Sequence, residues 1–111
     1  MTRTLVLFGR CTGVSLCAED AQVTVPWKEA FNFHYCAEHI GAGEYENAVV
    51  IPINSTPGCG RNAAVRLSVD HTCTTFRGFK VRLWQDGESQ EDIGPIDFDW
   101  VAFIPCAESL T

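Results

Sequence analysis

His34, Cys36 and His39 stand close together in the stretch FNFHYCAEHIGAG, residues 31–43. Imidazole nitrogens and a thiolate are zinc donors, and finger-type sites space them about two to five residues apart. The chemistry would be a tetrahedral zinc site with three ligands in hand and one missing. No C-x-x-C pair elsewhere supplies the fourth. Cys36 is also lost as a ligand if it is oxidised. The favoured reading is two surface histidines beside a cross-linked cysteine, so no metal and no cofactor is assigned.

Two other sets of residues have chemical potential. Asp86, Glu88, Glu91 and Asp92 fall in one stretch, and Asp97 and Asp99 follow soon after. Calcium takes six to eight oxygens, but this is not the spacing of an EF-hand loop. A solvated hairpin turn is the favoured reading of the stretch. His71, Glu88 and either Arg66 or Arg82 could form a ribonuclease-like set. The chain has no G-x-S-x-G elbow, phosphate loop or HExxH helix. A small secreted hydrolase is therefore the alternative reading, and a metal-binding protein a further one. No catalytic residue is assigned.

The strongest binding signal is cationic and aromatic. In FKVRLWQ, residues 79–85, Lys80, Arg82 and Trp84 alternate with Phe79, Val81 and Leu83. Successive strand residues point to opposite faces, so the two cations and the indole share one face. Arg66 is expected on a neighbouring strand. Arg and Trp are enriched at binding hot spots, and an indole face stacks on cations. Arg66, Lys80, Arg82 and Trp84 are therefore the expected partner-binding residues, aided by the loops Asn54–Gly60 and Asp86–Asp92. Trp27 and Trp100 read as core. If the strand were buried on both faces, Trp84 would pack instead of bind.

These side chains need a scaffold of strands. Period-two alternation with β-branched and aromatic residues marks half-buried strands. It runs through TRTLVLFG, QVTVPW, AAVRLSVD, FKVRLWQ and IDFDWVAFI, and NAVVIPIN is a continuous β-branched run. Turn residues separate these runs at Thr12-Gly13, Gly41-Ala42-Gly43, 54–60 and Asp86-Gly87. The result is an all-β chain, a small antiparallel β-sandwich forming one domain over 1–111. The segment PWKEAFNFHYCAEHIG is ambiguous. Its aromatic and Asn content favours a strand to about Cys36, with one short helix within 27–40 as the alternative.

Six cysteines, Cys11, Cys17, Cys36, Cys59, Cys73 and Cys106, are even in number and scattered. In a small domain that pattern reads as a disulfide framework. Asn54-Ser55-Thr56 fits a glycosylation acceptor. Together they point to a secreted, disulfide-stapled protein. The N-terminal apolar stretch Leu5–Phe8 is too short for a signal-peptide core, so the alternatives are a cytosolic protein or a mature form with an added start methionine. The net charge of −6 lacks the basic footprint of nucleic-acid binders. No apolar run reaches a membrane span.

The pair AVRLSV, residues 64–69, and FKVRLWQDGESQEDIG, residues 79–94, resembles the strand succession of βγ-crystallin-type sandwiches. In those a Val-rich strand is followed by an aromatic-bearing strand and an acidic turn. The resemblance implies a Greek-key sandwich, in a family whose small members include secreted inhibitors and toxins. Its calcium signature does not appear here, and no family residue is carried over. The functional expectation is a non-enzymatic secreted binding module: an effector, toxin-like factor, inhibitor or lectin-like protein with a protein or glycan partner.

Overall fold

The computed structural model describes residues 2–14, 20–54, 65–85 and 96–107. Six strands carry the fold: β1 (Thr2–Val14), β2 (Asp20–Pro26), β3 (Val49–Asn54), β4 (Val65–Asp70), β5 (Gly78–Gln85) and β6 (Ile96–Ala107). They form two antiparallel three-stranded sheets, β1-β6-β3 and β2-β5-β4. Each of the five alternating runs, and the continuous run NAVVIPIN, corresponds to one of these strands.

The sheets meet through their apolar faces. β6 alternates strictly, with Ile96, Phe98, Trp100, Ala102, Ile104 and Cys106 all buried. Val25, Phe79, Val81 and Leu83 answer from the other sheet in the same hydrophobic cluster. Pro52 is tolerated in β3 because, among the described residues, that strand pairs only with β6, and an edge strand can lack one N–H. Two glycines are required by close approach. A Cβ on Gly9 would lie 2.8 Å from the Trp100 ring, and one on Gly78 would clash with the Val25 carbonyl oxygen.

The ambiguous segment is not a strand. It runs through a 3-10 turn at Trp27–Glu29, a single helical turn α1 (Phe33–Cys36) and a 3-10 turn at Ala37–His39. A strand would have set Phe31, Phe33 and Tyr35 on one face. In the fold Phe31 and Tyr35 are exposed and Phe33 is half-buried. The tether that wins is Trp27. It is fully buried, and its Nε1 donates to the Thr75 carbonyl at 2.8 Å. Trp100 is equally buried, but its Nε1 has no partner among the described residues.

The same segment closes the free edge of β1. The Asn32 amide donates through Nδ2 to the Val6 carbonyl at 2.7 Å and accepts at Oδ1 from the Phe8 N–H at 3.3 Å. The Phe31 N–H donates to the Phe8 carbonyl at 2.9 Å. One side-chain amide thus mimics the peptide of a neighbouring strand. Open edges template unwanted pairing, and this plug removes three such groups.

The disulfide framework is the main correction. Cys11, Cys36, Cys73 and Cys106 are free thiols, and no cross-link occurs among the described residues. Cys17 and Cys59 lie outside them. Three of the described thiols have local partners, and Cys11 packs against the core. Cys106 Sγ donates to the Ile104 carbonyl at 3.4 Å, Cys73 Sγ to Asp70 at 3.4 Å, and Cys36 Sγ accepts from Asn32 at 3.5 Å. The core, not a set of bridges, joins the two sheets.

Two outcomes test this fold. Asn32→Asp keeps the acceptor for Phe8 but sets a carboxylate oxygen against the Val6 carbonyl. Losing that bond and leaving its partner unpaired should cost about 1–3 kcal/mol, read by denaturant unfolding. A stability unchanged from wild type would mean that the plug is not needed. Alkylation in denaturant without reductant should label Cys11, Cys36, Cys73 and Cys106, with mass mapping as the readout. In the native protein Cys106 should react slowest, because it is fully buried.

Candidate functional site

The outer face of the β2-β5-β4 sheet is built by register. Antiparallel partners directly across from each other share a face. One row joins Asp20, Trp84 and Arg66; the next Gln22, Arg82 and Ser68; the third Thr24, Lys80 and Asp70. The central strand β5 contributes Lys80 and Arg82 because its odd-numbered residues Phe79, Val81 and Leu83 are fully buried. Arg66, Lys80 and Arg82 therefore meet on one face, on two adjacent strands, and Trp84 holds the register position between Asp20 and Arg66. Of these, Arg66 and Arg82 are exposed and Lys80 half-buried.

Between the rows lies a depression of about 290 Å³ lined by Gln22, Ser68, Val69, Asp70, Lys80 and Arg82. It offers an amide, a hydroxyl, a carboxylate and two cations within one concavity. Arg66 and Arg82 both engage groups within the fold, which limits how far they swing.

Asp70 is fixed by its own turn. Its Oδ1 accepts from the Thr72 hydroxyl at 2.5 Å and the Thr72 N–H at 3.0 Å, and its Oδ2 from the Cys73 thiol. These bonds cap the 3-10 turn at His71–Cys73. They hold the Asp70 carboxyl below its ordinary range. The Thr72 hydroxyl is the largest cause, followed by the Cys73 thiol and then the Thr72 N–H, with Lys80 across the strand adding to them. Asp70 is thus an ionised wall of the depression beside Lys80. In the sequence Asp70 is unremarkable, because its partners Thr72 and Cys73 look like turn filler, and an Asp two residues before a Thr at a strand end is its one local signal.

The other candidates are dispersed. His34 is exposed on α1 and His39 is exposed in the following turn, 3.6 Å from Glu38. Among the described residues no group of three or more His, Cys, Asp or Glu is placed to hold a metal ion. His71 is exposed in the turn after β4, while Arg66 and Arg82 belong to the sheet face. Glu88 and the acidic stretch 86–92 lie outside the described residues, as does most of the 54–60 loop. Asn54 closes β3 opposite Phe98, but Ser55 and Thr56 of the acceptor triplet are not described. Asp97 and Asp99 do not gather for calcium. Asp97 accepts from the Gly13 N–H at 2.9 Å, and Asp99 pairs with Arg10 Nε at 2.6 Å. Among the described residues, no helix is long and apolar enough to cross a membrane.

Burial raises the Cys11 thiol to about 11, with Glu29 adding to it. Cys106 is likewise raised, chiefly by burial. Neither is poised as a thiolate nucleophile, since reactive cysteines have lowered values.

The Asp70 turn gives a pH signature. A folded-state value below the unfolded one stabilises the fold above the unfolded carboxylate range, and this contribution fades as pH falls through the folded value. Asp70→Asn should therefore lower the thermal midpoint at neutral pH. The gap to wild type should close in strong acid. A gap that is independent of pH would remove the ionised carboxylate from the account.

No family model, no curated protein and no solved structure matches this chain.

Proposed function

We propose that the chain is a binding module whose ligand seats in the depression on the outer face of the β2-β5-β4 sheet. A single observation carries this reading: register gathers Lys80, Arg82, Ser68, Gln22 and Asp70 around one concavity. Small-ligand sites begin at about 300 Å³ and use a few convergent polar groups. The lining is polar and shallow, which suits a sugar hydroxyl array carrying a carboxylate or sulfate better than an apolar anchor. Lys80 and Arg82 would meet the anionic group, since hydrogen bonds between charged partners are the strong ones. Gln22, Ser68 and Asp70 would take hydroxyls.

An acidic glycan is thus the partner class. The reading does not depend on compartment. Secretion drew on paired cysteines, and with four thiols free the Asn54 triplet remains its sequence support. A Greek-key order of the two sheets, as the crystallin resemblance implies, is likewise part of the proposal. It would leave this sheet face open to solvent.

The test is a glycan array with wild type and two variants. Lys80→Glu reverses a charge in the depression, and Ser68→Trp fills it. Acidic glycans should be retained by wild type. Both variants should weaken them by at least about tenfold, the worth of about 1.4 kcal/mol, while remaining folded at the assay temperature by circular dichroism. Retention of neutral glycans alone, or variants that bind acidic glycans as tightly as wild type does, would overturn the assignment. So would wild type that retains no glycan while a protein partner is captured through the same face.

A further inference from the structure

The outer face of the second sheet is apolar. Register aligns Val6 with Phe103 and Val49, then Phe8 with Val101 and Ile51, then Arg10 with Asp99 and Ile53. Val49 and Ile53 are each 54% exposed, Phe8 47% and Ile51 46%. Phe31 is 66% exposed and packs edge-on to Phe8, with ring centroids 5.9 Å apart. The strand segments LVLF, VVIPI and WVAFI are apolar on both faces. That is the pattern of strands covered on both sides. The outer face of the β2-β5-β4 sheet, with Gln22, Thr24, Ser68, Lys80 and Arg82, is an ordinary wet face by contrast.

With aromatic side chains of about 150–250 Å², these exposures amount to roughly 600 Å² of apolar surface. A monomer's largest apolar patch is about 300–600 Å². A standard interface takes about 800 Å² from each partner, within reach once the rim of Thr4, Arg10 and Asp99 is added.

The face is also self-complementary. Arg10 and Asp99 neutralise each other at one end, at 2.6 Å, and Thr4 stands opposite Pro105 at the other. A two-fold axis between the Val6 and Phe8 rows would stack apolar row on apolar row. It would set the Arg10–Asp99 pair of one copy against Thr4 of the next. The two apolar rows bear no charge, so the net −6 lies outside the centre of such a contact.

We propose that this face joins two copies of the chain, sheet on sheet, in a closed dimer. Sheets with β-branched and aromatic faces pack in this way about 10 Å apart. The contact lies on the opposite sheet from the proposed ligand depression and stands independently of it.

Sedimentation equilibrium across a dilution series tests it. Wild type should pass from monomer to dimer as concentration rises, and salt should strengthen the dimer by screening the like net charges of the two copies. Ile51→Lys should remain monomeric with an unchanged thermal midpoint, and Lys80→Glu on the far sheet should dimerise as wild type does. A wild type that stays monomeric at every concentration would overturn the proposal and leave the face to a different protein or a lipid surface. Open-ended association would overturn the closed two-fold contact. A dimer that survives Ile51→Lys, or that Lys80→Glu abolishes, would place the contact elsewhere.

Discussion

Four aromatic side chains join the two sheets, and the rest of the structure depends on that junction. Trp27 lies 4.9 Å from Phe79 and 6.0 Å from Trp100 between ring centroids, and Phe79 lies 5.0 Å from Trp100. Tyr45 closes the cluster on Trp27 at 5.4 Å. Trp100 belongs to the middle strand of one sheet and Phe79 to the middle strand of the other. Trp27 and Tyr45 come from turns between strands. Tilted and edge-on pairs of this kind add about 0.5–1.5 kcal/mol each beyond burial. The cluster therefore holds sheet to sheet and also anchors the irregular chain that plugs the β1 edge.

That anchoring explains why both outer faces can differ so much. Once Phe79, Val81 and Leu83 are committed inward, the intervening residues of β5 are free to be polar, and they are. In β1, β3 and β6 the same freedom is not used for polarity. Val6, Phe8, Ile51 and Phe103 sit where charged residues would serve solubility. The chain thus presents one wet sheet face with a charged concavity and one apolar sheet face. The two faces suit different partners, a polar ligand and a second apolar sheet.

The cysteines occupy a supporting place. In the sequence their even number and scatter suggest staples. In the fold each described thiol is taken up by a neighbour a few residues away or by the core. Cys106 is as buried as the isoleucines beside it, and free cysteine packs well as a small apolar side chain. Number and spacing speak for cross-links only when the geometry brings the sulfurs together, and spacing along the chain carries no distance in space.

The amino-acid sequence by itself determined the six strands and, where apolar and polar residues alternate, which residues face inward. Alternation is a local property, fixed by the two-residue repeat of extended backbone, so Trp100 and Phe79 could be read as core and Lys80 and Arg82 as surface from their neighbours alone. It also determined that Lys80 and Arg82 share a face. Tertiary structure decided what stands beside them. The pairing of Ser68 with Arg82 and of Asp70 with Lys80 depends on strand register, and Gln22 enters through a strand more than fifty residues away. It decided the course of residues 27–40 as well. The alternating Phe31, Phe33 and Tyr35 imitate a strand, but the burial of Trp27 and the bonds of Asn32 to the β1 edge are long-range interactions that override the local pattern. The apolar outer face emerged only from register too, because runs such as VVIPI show that both sides are apolar without showing which neighbours align to make a continuous surface.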